Sequence, residues 1–374
     1  MRNLGIYIHI PFCVSKCFYC DFCSSDNNSN IDKYIDALCS EILSNLELLQ
    51  EYKIDTIYFG GGTPSYIPTK YIEKILSILN VTSDTKEITI EANPETLTLE
   101  KLKAYKEMGI NRLSLGLQSA NNKTLKAIGR KSTLEDFERA YNMAVDVGFC
   151  NISTDVIIGL PNESIEDFKY TLEYTLSKDK ITHISAYSLE VHENTKLNFL
   201  LENNYLTLPT EATERDMKYL LDDVLSKYNF ERYEISNYAK ATNYSKHNLK
   251  YWNQEEYLGF GVASASYINS VRYTNTKDIN KYIENISCGT SIKEEIEEMD
   301  KLDTIKEYVI LRLRLKDGVI FEDFKYKFKQ DIFSLFKDEI NKLEKEKLIC
   351  VTTKNMYLTD KGEDLANIVW QEFI

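Results

Sequence analysis

Tyr7-Ile8-His9-Ile10-Pro11-Phe12-Cys13-Val14-Ser15-Lys16-Cys17-Phe18-Tyr19-Cys20 joins a β-rich run to three cysteines spaced CxxxCxxC. Pro11 cannot donate to a sheet ladder, so the strand ends there and the cysteines fall on the loop leaving its C-terminal end. With eight cysteines in 374 residues, such a triplet arises by accident only about 0.004 times per chain, so the spacing points to a shared ligand. Zinc prefers four ligands in two separated pairs, and the chain holds only four histidines. Three clustered thiolates suit a [4Fe-4S] cube with one iron left open. Cys23 lies beside the triplet as an ambiguous thiol, and Cys39, Cys150, Cys288 and Cys350 show no partner pattern and read as structural.

Outward from this loop, β-rich runs at 5–10, 55–59, 87–92, 112–117, 152–158 and 182–189 alternate with helical patterns at 32–50, 68–79, 99–108, 121–147 and 164–176. Strict alternation means parallel strands with helical crossovers, in a doubly wound sheet or a barrel of β/α units, and in either the loops after the strands build the site. The alternation fades after Glu190, and the Gly, Ala and Ser stretch 259–269 reads as a further strand with close backbone neighbours. The charged region 276–303, with its Glu run at 294–298, reads as a linker. Beyond it, three helical patterns and a short alternating pair outline a winged helix. The expected division is 1–230 barrel, 231–300 extension and linker, and 301–374 C-terminal domain.

Apolar residues make up 43% of the chain, enough for a sizeable core, and no apolar run reaches the length of a membrane span. The expectation is a cytoplasmic protein. The formal charge of −13 disfavours nucleic acid, and residues 301–374 carry 14 basic and 14 acidic side chains, so the winged-helix outline has no basic face to offer.

The Tyr7-to-Cys13 run entering CxxxCxxC resembles the radical S-adenosylmethionine (SAM) superfamily, and within it the family of oxygen-independent coproporphyrinogen III oxidases, over almost the whole chain. The resemblance implies a partial (β/α)6 barrel, a [4Fe-4S] cluster on Cys13, Cys17 and Cys20, and SAM chelating the open iron. It implies SAM contacts from Tyr7 beside the sulfonium, from Gly61, Gly62 and Thr63 in Gly-Gly-Gly-Thr-Pro, and from Glu91 in Glu-Ala-Asn-Pro. Gln118 and Arg130 match positions that hold the ribose and the methionine carboxylate. Asp155 stands out on physical grounds as well, because an unpaired carboxylate inside an apolar strand is costly and a ribose hydroxyl pair would satisfy it.

That family contains oxidases, which decarboxylate coproporphyrinogen III, and HemW-type heme chaperones, which bind and donate finished heme. Three features of this sequence resemble the chaperones. Only twelve residues precede Cys13, where the oxidases carry an extension; the oxidases show a further cysteine two residues after the third, giving CxC, where this sequence runs Cys20-Asp21-Phe22 with Cys23 three residues on; and His247-Asn248-Leu249-Lys250-Tyr251-Trp252 matches the HNxxYW signature of the chaperone branch. His247, Tyr251 and Trp252 are therefore candidate heme contacts, with His247 one possible iron ligand beside cysteine and tyrosine. The expected partners are heme-accepting proteins and a flavodoxin- or ferredoxin-type reductant. No catalytic residue is assigned, the oxidase remains the alternative, and an RNA-modifying radical enzyme is disfavoured by charge.

Overall fold

Period-two alternation builds the first strand, β1 (Arg2–Ile10): Leu4, Ile6, Ile8 and Ile10 enter the core, while Tyr7 and His9 share the other face, their side chains 3.1 Å apart. In a computed structural model describing residues 1–79, 81–82 and 85–374, five more strands follow the same logic. They are β2 (Tyr52–Gly61), β3 (Glu87–Ala92), β4 (Arg112–Gln118), β5 (Ile152–Ile158) and β6 (Ile181–Ser188). All neighbouring pairs from β1 to β6 are parallel and run in sequence order without reversal. A doubly wound sheet reverses at a switch point, so this progression selects the partial barrel.

The barrel is not closed on itself. On one side β6 pairs with β8 (Asn237–Lys240), itself paired with β7 (Phe230–Glu234). On the other, β1 pairs in parallel with β9 (Tyr257–Phe260), followed by β10 (Ala265–Ile268), β11 (Val271–Asn275) and β12 (Lys293–Glu298). The described residues thus form a twelve-stranded sheet.

The region read as a linker is ordered. Helix Ile279–Cys288 is capped by Asp278 and ended by Gly289 in the left-handed conformation, and buries Tyr282. The Glu run is β12, an edge strand whose charge blocks further pairing; that charge hid it from a reading based on apolar pattern. The 259–269 run splits into β9 and β10. A side chain at Gly259 would place its Cβ 2.3 Å from the Ala265 carbonyl oxygen, so Gly259→Ala is expected to destabilise the chain by about 1–3 kcal/mol, read as a lower urea midpoint.

A second core gathers Val309, Phe324, Leu343, Met356 and Val369. Helices Lys301–Arg312, Phe321–Phe328 and Lys337–Lys345 accompany a small antiparallel sheet of β13 (Val319–Ile320), which lies between the first two helices, and β14 (Ile349–Val351) and β15 (Asn355–Leu358), which follow the third, the winged-helix outline with one strand added. This domain meets the barrel extension through Arg232, paired with Glu363, a carboxylate that also pairs with Lys316 of its own domain. Arg314 lies between the faces of Trp252 and Trp370, the two tryptophans of the chain. No helix among the described residues is long and apolar enough to cross a membrane.

Candidate cofactor site

The cysteine loop is tied down at both ends. Cys13 N–H donates to the Ser25 carbonyl and Ser25 N–H to Pro11, while Phe18 N–H donates to Ile128 and its carbonyl accepts from Leu197 N–H. Between these ties, Cys13, Cys17 and Cys20 line one side of a cavity of ≈ 450 Å³ at the C-terminal ends of the strands. Gly62 forms the adjoining wall: a Cβ there would stand 2.9 Å from Pro11 and 3.0 Å from the Cys13 sulfur, so only glycine lets the two loops approach this closely. Thr63 donates to the Cys13 sulfur at 3.4 Å and accepts from Asn93 at 3.0 Å. Burial raises the Cys13 and Cys20 thiols, so iron must displace their protons on binding. Among the described residues no three Cys, His, Asp or Glu side chains converge on one metal ion; a cube, which takes one thiolate per iron, does not require that convergence.

Every residue matched to SAM except Tyr7 lines this same cavity. Arg130 donates to the Cys17 sulfur at 3.8 Å, to Asn93 Oδ1 at 3.1 Å and to the Gly116 carbonyl at 3.4 Å, leaving its buried Nε without a partner. Gln118, at the end of β4, has φ 65° and a buried side-chain oxygen without a partner. Backbone strain and an unmet acceptor at one cavity-lining residue are what a polar ligand would account for. Burial raises Glu91 to about 7 against hydrogen bonds from the Tyr58 hydroxyl (2.8 Å) and Gly61 N–H, and the nearby Asp155 charge adds to the rise. Burial also raises Asp155, opposed by a hydrogen bond from Ser185. Two buried carboxyls, the Arg130 guanidinium and three thiols around one cavity fit a cluster and a zwitterionic sulfonium.

Tyr7 stands behind this chamber, its ring 6.2 Å from Tyr58 and its hydroxyl bonded to His9. Tyr58 and Asn93 were missed as site residues. The alternation of β2 put Tyr58 on the inner face with Gly60, and Asn93 directly follows the strand bearing Glu91. Cys23 turns away and donates to the Lys277 carbonyl at 3.3 Å. Of the four scattered cysteines, Cys39 is buried as a core residue should be, whereas Cys150 and Cys288 are exposed and have no structural role in the core.

The HNxxYW segment is a short helix, Lys246–Trp252, whose first amides donate to the Glu87 carboxylate. His247 is fully buried, with Nδ1 2.9 Å from the Thr56 hydroxyl and Nε2 2.8 Å from the Tyr251 hydroxyl. Both ring nitrogens are engaged, so this geometry offers no free nitrogen to heme iron, contrary to the expectation from the motif alone. Lys250 forms a buried pair with Asp55 at 2.8 Å. The helix stands between two cavities: Asn248 lines the cysteine chamber, and Tyr251 and Trp252 line a second, of ≈ 380 Å³.

Comparison with known proteins agrees with this layout. The radical SAM superfamily matches residues 7–175 and the HemN C-terminal domain residues 299–365. Heme chaperone HemW of Lactococcus lactis is 35% identical over 98% of this chain and 96% of its own, and that of Bacillus subtilis 35% identical over 98% of both. The chain belongs to the HemW heme chaperone family. Membership carries the radical SAM cofactors, a [4Fe-4S] cluster and SAM. The structure of coproporphyrinogen III oxidase (HemN) from Escherichia coli covers all of this HemW-family chain and 90% of its own with a TM-score of 0.87 at 22% identity, a likeness of fold.

Proposed function

We propose that this chain holds a [4Fe-4S] cluster on Cys13, Cys17 and Cys20, takes SAM in the chamber beside it, and carries heme to acceptor proteins. Full-length similarity to heme chaperones is the observation that carries this reading. The segment after Cys20 adds to it: Asp21 and Phe22 line the chamber where a CxC would place a further thiol two residues after the third cysteine, while Cys23 is turned away. When bound, SAM on a reduced cluster supplies a 5′-deoxyadenosyl radical. The chain's own residues do the holding. Arg130 takes the methionine carboxylate, Gln118 and Asp155 the ribose, and Glu91 with Gly61, Gly62 and Thr63 the amino end, with Tyr7 behind. A flavodoxin- or ferredoxin-type protein is the reductant, the cytoplasm is the compartment, and nucleic acid is not a partner. The test is a titration of heme into the cluster-loaded protein followed by mixing with a heme-free acceptor. One equivalent bound and then passed on supports the reading, and failure to bind heme saturably contradicts it.

The raised carboxyl at Glu91 sets a pH dependence. Its folded-state pKa, about 7, lies above the ordinary value, so the group is mostly neutral below 7 and anionic above it. A cationic ligand binds the anion, so SAM affinity is expected to rise with pH up to about 7, where Glu91 is still largely protonated in the free protein, and to level off above it. Calorimetric titration of the cluster-loaded protein checks this, with Glu91→Gln expected to bind more weakly and to lose that part of the slope.

A further inference from the structure

Of the residues matched to SAM, only Tyr7 lines the second cavity, which is built of aromatic walls. Tyr7, Tyr251, Trp252, Tyr257 and Tyr267 line it, with Arg272 beside them and Leu311 of the C-terminal domain opposite. Its semi-open volume of ≈ 380 Å³ falls in the range of small-molecule sites, about 300–1,000 Å³. Flat apolar walls favour a planar macrocycle, and an open rim leaves the carboxylates of that macrocycle in water.

One phenol in this cavity differs from the rest. The Tyr257 hydroxyl, almost wholly buried, accepts a hydrogen bond from Arg272 Nη1 at 3.0 Å. Burial raises the Tyr257 pKa, and the Arg272 guanidinium offsets part of that rise, so iron must displace the phenol proton on binding. The guanidinium is itself fixed by Glu307, on the first helix of the C-terminal domain. Tyr251, by contrast, is engaged by His247.

Resting on the heme-carrier reading, we propose that heme is held in this second cavity, apart from SAM, with the Tyr257 phenolate as axial ligand to ferric iron. Binding forms one O–Fe bond and releases the phenol proton to water, with no change in oxidation state; the phenolate neutralises the charge at the ferric porphyrin core. Tyrosinate is an established axial ligand type for heme. The HNxxYW helix and the Tyr7–Tyr58 ring pair then lie between the heme cavity and the cofactor chamber.

The test uses the full chain with its cluster, titrated with ferric heme. In wild type, resonance Raman is expected to show tyrosinate vibrations. Tyr257→Phe is expected to abolish them and Tyr251→Phe to keep them. Leu311→Trp, which fills the cavity from its far wall, is expected to lower heme affinity at least about tenfold with cluster absorbance intact as the folding control. A histidine- or cysteine-ligated spectrum in wild type, or unchanged heme affinity in Leu311→Trp, overturns the placement while leaving the carrier reading standing. If wild type takes up no stoichiometric heme, the carrier reading itself falls.

Discussion

Cys17→Ser is expected to give a folded protein that cannot hold its iron-sulfur cluster. The fold does not depend on this sulfur. The loop around it is fixed by the backbone bonds of Phe18 to Ile128 and Leu197, and Cys17 is partly exposed. The cluster is expected to depend on it, because three thiolates would secure three irons and a serine hydroxyl is a far poorer ligand for iron. After anaerobic reconstitution the variant should lack the visible absorbance and the reduced-state EPR signal of wild type, with an unchanged thermal midpoint for the iron-free chain. Cys23→Ser should retain both signals, since the Cys23 thiol faces the Lys277 carbonyl rather than the chamber. A full cluster signal in Cys17→Ser would show that another thiol serves in its place.

Arg130→Lys is expected to weaken SAM binding by about 10- to 150-fold, the equivalent of losing a charged hydrogen bond worth about 1.5–3 kcal/mol. The guanidinium does several things at once: it touches the Cys17 sulfur, Asn93 and the Gly116 carbonyl, and keeps one buried N–H unpaired. A lysine ammonium cannot reproduce that planar fork, so the substitution is not conservative here. Cluster absorbance should persist, which separates loss of SAM from loss of iron. Equal SAM affinity in variant and wild type by equilibrium dialysis would remove Arg130 from the binding site.

The barrel strands were legible because each obeys one period. The bounds of β3 and β5 match the sequence reading, and the CxxxCxxC loop follows β1 as Pro11 requires. The signals that failed were those carried by charge or by distance. β12 reads as a solvated Glu run because an edge strand needs little apolar content, and β13 is two residues long, too short for any pattern. Helix Ile279–Cys288 did show Ile279, Ile283 and Ile286 at helical spacing, masked by the charged stretch that follows it. In the site, the motifs on the strands name Gly61, Glu91, Gln118 and Asp155, which line one cavity. The HNxxYW motif leaves the ligand role of His247 open, because it shows which side chains are near in sequence and not that Thr56, from β2, occupies one of its nitrogens. The second cavity draws Tyr7, Trp252, Tyr267, Arg272 and Leu311 from segments far apart in the chain, so no linear spacing announces it.

The central claim is that this radical SAM protein carries heme and does not remodel its precursor. The most direct measurement is incubation of the cluster-loaded protein with coproporphyrinogen III, SAM and a one-electron reductant, in parallel with heme alone. Stoichiometric heme binding with no protoporphyrinogen formed is the predicted result. Catalytic formation of protoporphyrinogen would contradict it.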